Sequence, residues 1–193
     1  MSDDREVIEA LKQKERASRG YADWDAWADS ATRDLGIGQD FATALQQQHG
    51  IQLGTLSPVP RGSDPPDLLT NDGIGIELTE LVDEKEIQRA LRIKRGQTDR
   101  LPYRDWSSLE LRDALARRIR EKDKTLIKQP ASVKEFWLVI HTDEPALVPA
   151  GVAASLSEWV PMDCQQISRC YLLMSYFPEY GRPVFPIPVC GSA

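Results

Sequence analysis

Two acids lie either side of a turn at the centre of this chain. Asp67 follows Pro65-Pro66, and Glu77 sits in the alternating run Ile74-Gly75-Ile76-Glu77-Leu78-Thr79. Between them, Asn71-Asp72-Gly73 is a turn cluster separating two apolar runs, the pattern of a β-hairpin. If the turn is a three-residue loop with Gly73 at the positive-φ position, Thr70 pairs with Ile74, Leu68 with Ile76, and Asp67 with Glu77. Directly opposed residues hold their Cβ atoms roughly 4.5–5.5 Å apart. Two carboxylates that close repel, which raises one pKa or calls for a cation. A hard divalent ion with a preference for oxygen ligands would resolve the conflict. A slip of one residue would instead put the acids on opposite faces.

Pro66-Asp67, the hairpin, and Glu77-Leu78-Thr79 resemble the PD-(D/E)xK nuclease superfamily, with Thr79 where its motif carries lysine. The resemblance implies a restriction endonuclease-like α/β fold, a central mixed sheet of four to six strands flanked by helices. It also implies Mg or Mn held by Asp67, Glu77 and the carbonyl of Leu78, with Thr79 as a hydrogen-bonding neighbour. The activity implied is hydrolysis of nucleic-acid phosphodiesters, with DNA the expected substrate. Some members relocate the motif lysine to a nearby helix, and Lys122 resembles that arrangement. An acid on a helix before the first strand sometimes joins such a site, which would be Glu6 or Glu9 here. The rival reading keeps the fold without catalysis, as a nucleic-acid-binding or protein-interaction module.

Several elements must position these residues. A helix is expected over 2–17, with Ser2 as cap and Asp3 and Asp4 in its first turn. Tyr21 to Trp27 read as a short helical or irregular packing segment. A second helix runs from Phe41 to His49, with Gly50 past its end and His49 as a partner for the helix dipole. Ile51 to Leu56 alternate as a first strand. Prolines 58, 60, 65 and 66 then make an extended connection, and Pro66 places Asp67 at a strand start. After the hairpin, Asp83 caps a helix over about 84–95 that leads into a basic, aromatic loop ending at Trp106.

The longest helical pattern starts at a Ser107 or Ser108 cap and runs to about Leu126. Leu111, Leu115, Ile119 and Leu126 form one stripe at about 100° per residue. Lys122 falls within that stripe and Lys124 on the opposite face. A lysine there either pairs with buried carboxylates or snorkels to water along its apolar stem. Lys85 and Lys94 are the weaker alternatives. Glu135 to Ile140 reads as a central strand, 149–159 as a short helix, Ile167 to Phe177 as a strand, and Val184 to Val189 as a proline-blunted edge strand.

Arg92, Arg95, Arg100 and Arg104, interleaved with Tyr103 and Trp106, suit a phosphate backbone and exposed bases. Arg61 in the proline-rich loop is a further phosphate contact. The ordinary alternative for all five is a solvated charge. The chain of 193 residues carries a net charge of −6, unlike a basic nucleic-acid coat protein. Its length suits a single domain, with an N-terminal helical segment (about 1–49) and an inserted helix and basic loop (about 84–106). Three cysteines and two histidines argue against a disulfide framework and a histidine zinc site. The sequence lacks a signal-peptide pattern and an apolar run of membrane-spanning length, so the expected location is cytoplasmic with no membrane partner. A homodimer is left open.

Overall fold

The computed structural model describes residues 30–60, 65–82, 95, 106–126, 133–144 and 146–191. The elements in order are α1 (Ser30–His49), β1 (Leu56–Pro58), β2 (Leu68–Thr70), β3 (Ile74–Glu80), α2 (Ser108–Thr125), β4 (Glu135–Thr142), α3 (Pro149–Ser157), β5 (Met162–Cys164), β6 (Arg169–Met174), β7 (Val184–Ile187) and β8 (Val189–Gly191). Six strands form one mixed sheet in the order β1-β2-β3-β4-β6-β7, and β5 pairs with β8 in a small second sheet. This is an α/β protein, as expected. β1, β2 and β3 are successively antiparallel, whereas β4 runs parallel to both β3 and β6. Parallel neighbours need long crossovers, and α2 and α3 lie within them.

Alternation along the strands sends side chains to opposite faces, and each face carries a core. On one, Ile37, Phe41, Ala44 and Leu45 of α1 pack over Leu68, Ile76, Leu78, Trp137, Val139, Tyr171 and Leu173. On the other, Leu111, Ala114, Leu115 and Ile119 of α2, with Val152 of α3, cover Phe136, Leu138, Ile140, Cys170, Leu172 and Met174. β3 adds no large apolar side chain to this second face. Its residues there are Gly75, Glu77 and Thr79, so a polar strip lies beside an apolar core. Gly75 sits in a tight space: a Cβ would come within 3.1 Å of both Pro66 and Val133.

The hairpin has the expected register, with Leu68 opposite Ile76 and Leu69 opposite Gly75. Gly73 takes φ +96°, its N–H donates to the Thr70 carbonyl at 3.1 Å, and the Thr70 hydroxyl accepts from Ile74 N at 2.8 Å. α2 begins in a full capping box: Ser107 accepts from Glu110 N, and the Glu110 side chain accepts from Ser107 N. Ser107→Ala is expected to cost about 1 kcal/mol, read as a lower urea midpoint with an unchanged denaturant slope.

Several boundaries differ from expectation. α1 starts at Ser30, eleven residues before Phe41. Gly36 and Gly38 weaken its local helical signal, and Gly38 is there because a Cβ would press on Leu56 and Leu68. The strand expected at Ile51 to Leu56 is corrected to Leu56–Pro58. Its antiparallel partner β2 is only three residues long, so Ile51 and Leu53 pack against the core without a ladder. α3 stops at Ser157, and Trp159 instead donates from Nε1 to the Pro188 carbonyl at 3.0 Å. The strand expected from Ile167 to Phe177 spans Arg169–Met174. The edge segment 184–189 divides at Pro188 into β7 and β8, which belong to different sheets. The helices expected at 2–17 and 84–95, the Tyr21 to Trp27 segment, and most of the expected 84–106 insertion lie outside the described residues. Among the described residues, no helix is long and apolar enough to cross a membrane.

Candidate functional site

Asp67 and Glu77 lie one position beyond the Leu68–Ile76 pair of the hairpin. Asp67 ends the approach to β2, and its Oδ2 accepts from Leu78 N at 2.8 Å. Glu77 sits in mid-strand opposite Leu138 of β4 and is 7% exposed. Lys122 reaches it from the last turn of α2, with Nζ 2.5 Å from Glu77 Oε1. Ile119 anchors the helix on the core, and one turn further on Lys122 arrives over the polar strip of β3. Its side chain keeps 29% exposure, so the centre is partly open to water. Thr79 lies two residues along β3 on the Glu77 face and is half-buried. The Leu78 side chain faces α1, while its N–H fixes Asp67.

Burial pushes the Glu77 carboxyl above the ordinary carboxylate range, and repulsion from Asp67 adds to this; Lys122 works against both. Burial also raises Asp67, with the Leu78 N–H opposing, Asp34 adding repulsion, and Lys122 and Arg33 offsetting it. Arg33 and Asp34, on the first turns of α1, form an ion pair at 3.1 Å. Their influence on the two acids had no local signal in the sequence, because it depends on where α1 crosses the sheet. Glu6 and Glu9, the helix acids expected near the site, lie outside the described residues.

Since both folded-state pKa values are raised, the acids bind protons more tightly when folded. Their contribution to stability is fully present below the unfolded-state pKa and is lost as pH rises through the folded one. Asp67→Asn keeps an acceptor for Leu78 N and removes one of the opposed charges. A gain of about 1 kcal/mol is expected at pH 7, shrinking as the solution is acidified below the ordinary aspartate range, in chemical denaturation followed across pH. His141, buried at the end of β4, behaves oppositely. Burial, then Arg33, lowers its pKa from 6.5 to about 4, so its contribution is present above pH 6.5 and lost on acidification toward 4.

Most of the other expected site residues fall outside those described. Arg61, Arg92, Arg100 and Arg104 lie outside the described residues, as do Lys85 and Lys94. Arg95 is exposed. Among the described residues, no group of three or more His, Cys, Asp or Glu side chains is placed to hold a metal ion. One oxygen of each central acid is already engaged, Asp67 Oδ2 by Leu78 N and Glu77 Oε1 by Lys122.

No protein-family model matches the chain, and no curated protein does. A similar solved structure is that of a protein of unknown function from Pseudomonas aeruginosa strain PAO1, described as Monooxygenase Superfamily. It is 15% identical, covers 98% of this chain and 87% of its own, and superposes with a TM-score of 0.47. At that level it transfers neither fold nor activity. The nuclease activity implied by the PD-(D/E)xK resemblance, with its inactive nuclease-fold alternative, is corrected. No family model, of a nuclease or of any other kind, matches the chain. The physical reason is the brevity of the motif. Pro-Asp and Glu-x-Thr amount to four residues around a common hairpin, and the lysine position holds threonine. Such a pattern fixes a local geometry without fixing a reaction.

Proposed function

We propose that the chain is an acid–base catalyst whose reactive groups are Asp67, Glu77 and Lys122. The supporting observation is the 2.5 Å contact between Lys122 Nζ and Oε1 of buried Glu77, made across 45 residues of sequence. Two facing carboxyls with raised pKa values favour a shared proton, so that one acts as base while the other acts as acid. General acid–base groups work best with pKa values nearer the operating pH than an ordinary carboxylate has, and perturbed pairs concentrate at functional sites. Lys122 supplies positive charge beside the proton-transfer path and stabilises negative charge developing on a substrate oxygen. The fitting substrate class is a small molecule with an acidic C–H beside a carbonyl group.

The experiment combines two readouts. Carboxyl ¹³C NMR titration is expected to show Asp67 and Glu77 titrating as a coupled pair above the usual range. A panel of small carbonyl compounds in D₂O is expected to include members that gain deuterium with wild type and not with Glu77→Gln. Ordinary, independent titration of both acids, no exchange across the panel, or equal exchange by Glu77→Gln would each overturn the reading.

A further inference from the structure

The outer edge of β7 is closed by side chains from the end of α1. β7 pairs with β6 through one edge, with Phe185 opposite Leu172 and Ile187 opposite Cys170. The Pro183 carbonyl also faces inward, accepting from Met174 N at 2.9 Å. Alternation along the strand therefore turns the backbone groups of Arg182, Val184 and Pro186 outward. An open row of such groups is a template for another strand.

Here the row is occupied. Gln48 Oε1 accepts from Val184 N at 2.9 Å, and Gln48 Nε2 donates to the Arg182 carbonyl at 2.7 Å. His49 Nε2 contacts the Val184 carbonyl at 2.9 Å, which makes that ring nitrogen the donor. The Gln48 carboxamide thus offers the donor and acceptor that a neighbouring strand would. Pro186 has no N–H to offer. Arg182 is also tied to α1, with Nη2 3.0 Å from Asp40 Oδ2.

We propose that the last turn of α1 is a clip that keeps β7 from pairing with β7 of a second copy of the chain. The occupant follows from which groups the clip covers. It takes both the N–H and the C=O of Val184, and these are what two antiparallel strands exchange when Val184 lies on their two-fold axis. Pro186 limits the ladder to a short segment around that residue, so a dimer formed on release is short-laddered and concentration-dependent. His49, which sequence reasoning assigned to the helix dipole, has this second role because α1 ends beside the sheet edge.

The test compares wild type with Gln48→Ala/His49→Ala. Both side chains are exposed, so the double variant is expected to fold, which circular dichroism checks. At concentrations where the double variant is monomeric, exchange of the Val184 amide with deuterium should accelerate by about tenfold, the equivalent of one lost hydrogen bond. Sedimentation velocity should show a dimer growing with concentration where wild type stays monomeric. Adding Val184→Pro to the double variant removes the N–H and should abolish that dimer. The proposal is overturned if Val184 in the monomeric double variant stays as protected as in wild type. It is also overturned if the double variant is monomeric throughout, if wild type dimerises equally, or if the dimer survives Val184→Pro.

Discussion

Lys122→Met is expected to lower stability at pH 7 by about 3 kcal/mol, and Glu77→Gln in the same chain should recover most of it. Lysine removal leaves a carboxylate that is buried against Leu138 and opposed by Asp67. Deleting one member of a buried pair costs more than the pair contributes, roughly 3–5 kcal/mol in closed interiors. Partial exposure of the Lys122 side chain, at 29%, sets the expected value at the low end. Methionine keeps the apolar stem, so packing against the α2 stripe is largely preserved and the charge is what changes. The pH dependence distinguishes this account from simple loss of packing. Without its cation the Glu77 pKa rises further, so the deficit is large above the new folded-state pKa and closes on acidification toward the unfolded one. A deficit that is constant across pH, and not relieved by Glu77→Gln, would sink the electrostatic account. Under the proposed function the same substitution abolishes deuterium exchange, as Glu77→Gln does.

Asp123→Ala carries the second large effect, about 2–3 kcal/mol, or roughly 5–10 °C in Tm for a chain of this size. One residue past Lys122, Asp123 leaves α2 on another side and collects three successive backbone donors. Its oxygens accept from Gln165 N at 2.9 Å, Gln166 N at 2.8 Å and Ile167 N at 3.2 Å. These amides join β5 to β6, so the carboxylate ties the helix to the connection that sets the height of β6 in the sheet. Hydrogen bonds to a charged group contribute about 1.5–3 kcal/mol each. Gln165 is exposed and recovers water when the carboxylate is lost, which holds the total below the sum of three. Asp123→Asn retains an acceptor and should lose about half as much. Amide exchange at 165–167 is the direct readout, and unchanged protection there in Asp123→Ala would contradict this role. Because Asp123 sits next to Lys122 in the helix, the alanine variant is also expected to loosen the Lys122 to Glu77 contact.

Much of the local architecture was legible in the residues. Asn71-Asp72-Gly73 set the hairpin and its register, because only a positive-φ residue at Gly73 closes that loop without a slip. A Ser107 or Ser108 cap marked the start of α2, and its apolar spacing identified Lys122 as a lysine on a core-facing stripe. These features depend on groups within a few residues of one another, where backbone sterics and capping act directly. The start of α1 was hidden because Gly36 and Gly38 oppose helix locally, and Gly38 is held there by close contact with Leu56 and Leu68 of β1 and β2. The division of 184–191 between two sheets was hidden because strand partners are chosen across the molecule.

For the candidate site, the turn in the sequence led to the expectation of Asp67 beside Glu77, and the observed pairing of Leu68 with Ile76 agrees with that register. The sequence did not determine the reaction: the nuclease implied by resemblance rested on a motif too short to specify one. Tertiary structure alone decided that Lys122 reaches Glu77, that Arg33 and Asp34 act on the pair, and that Gln48 and His49 close the far edge. Each depends on how a helix lies across the sheet. That placement comes from summed packing over two cores, and no short stretch of sequence carries it.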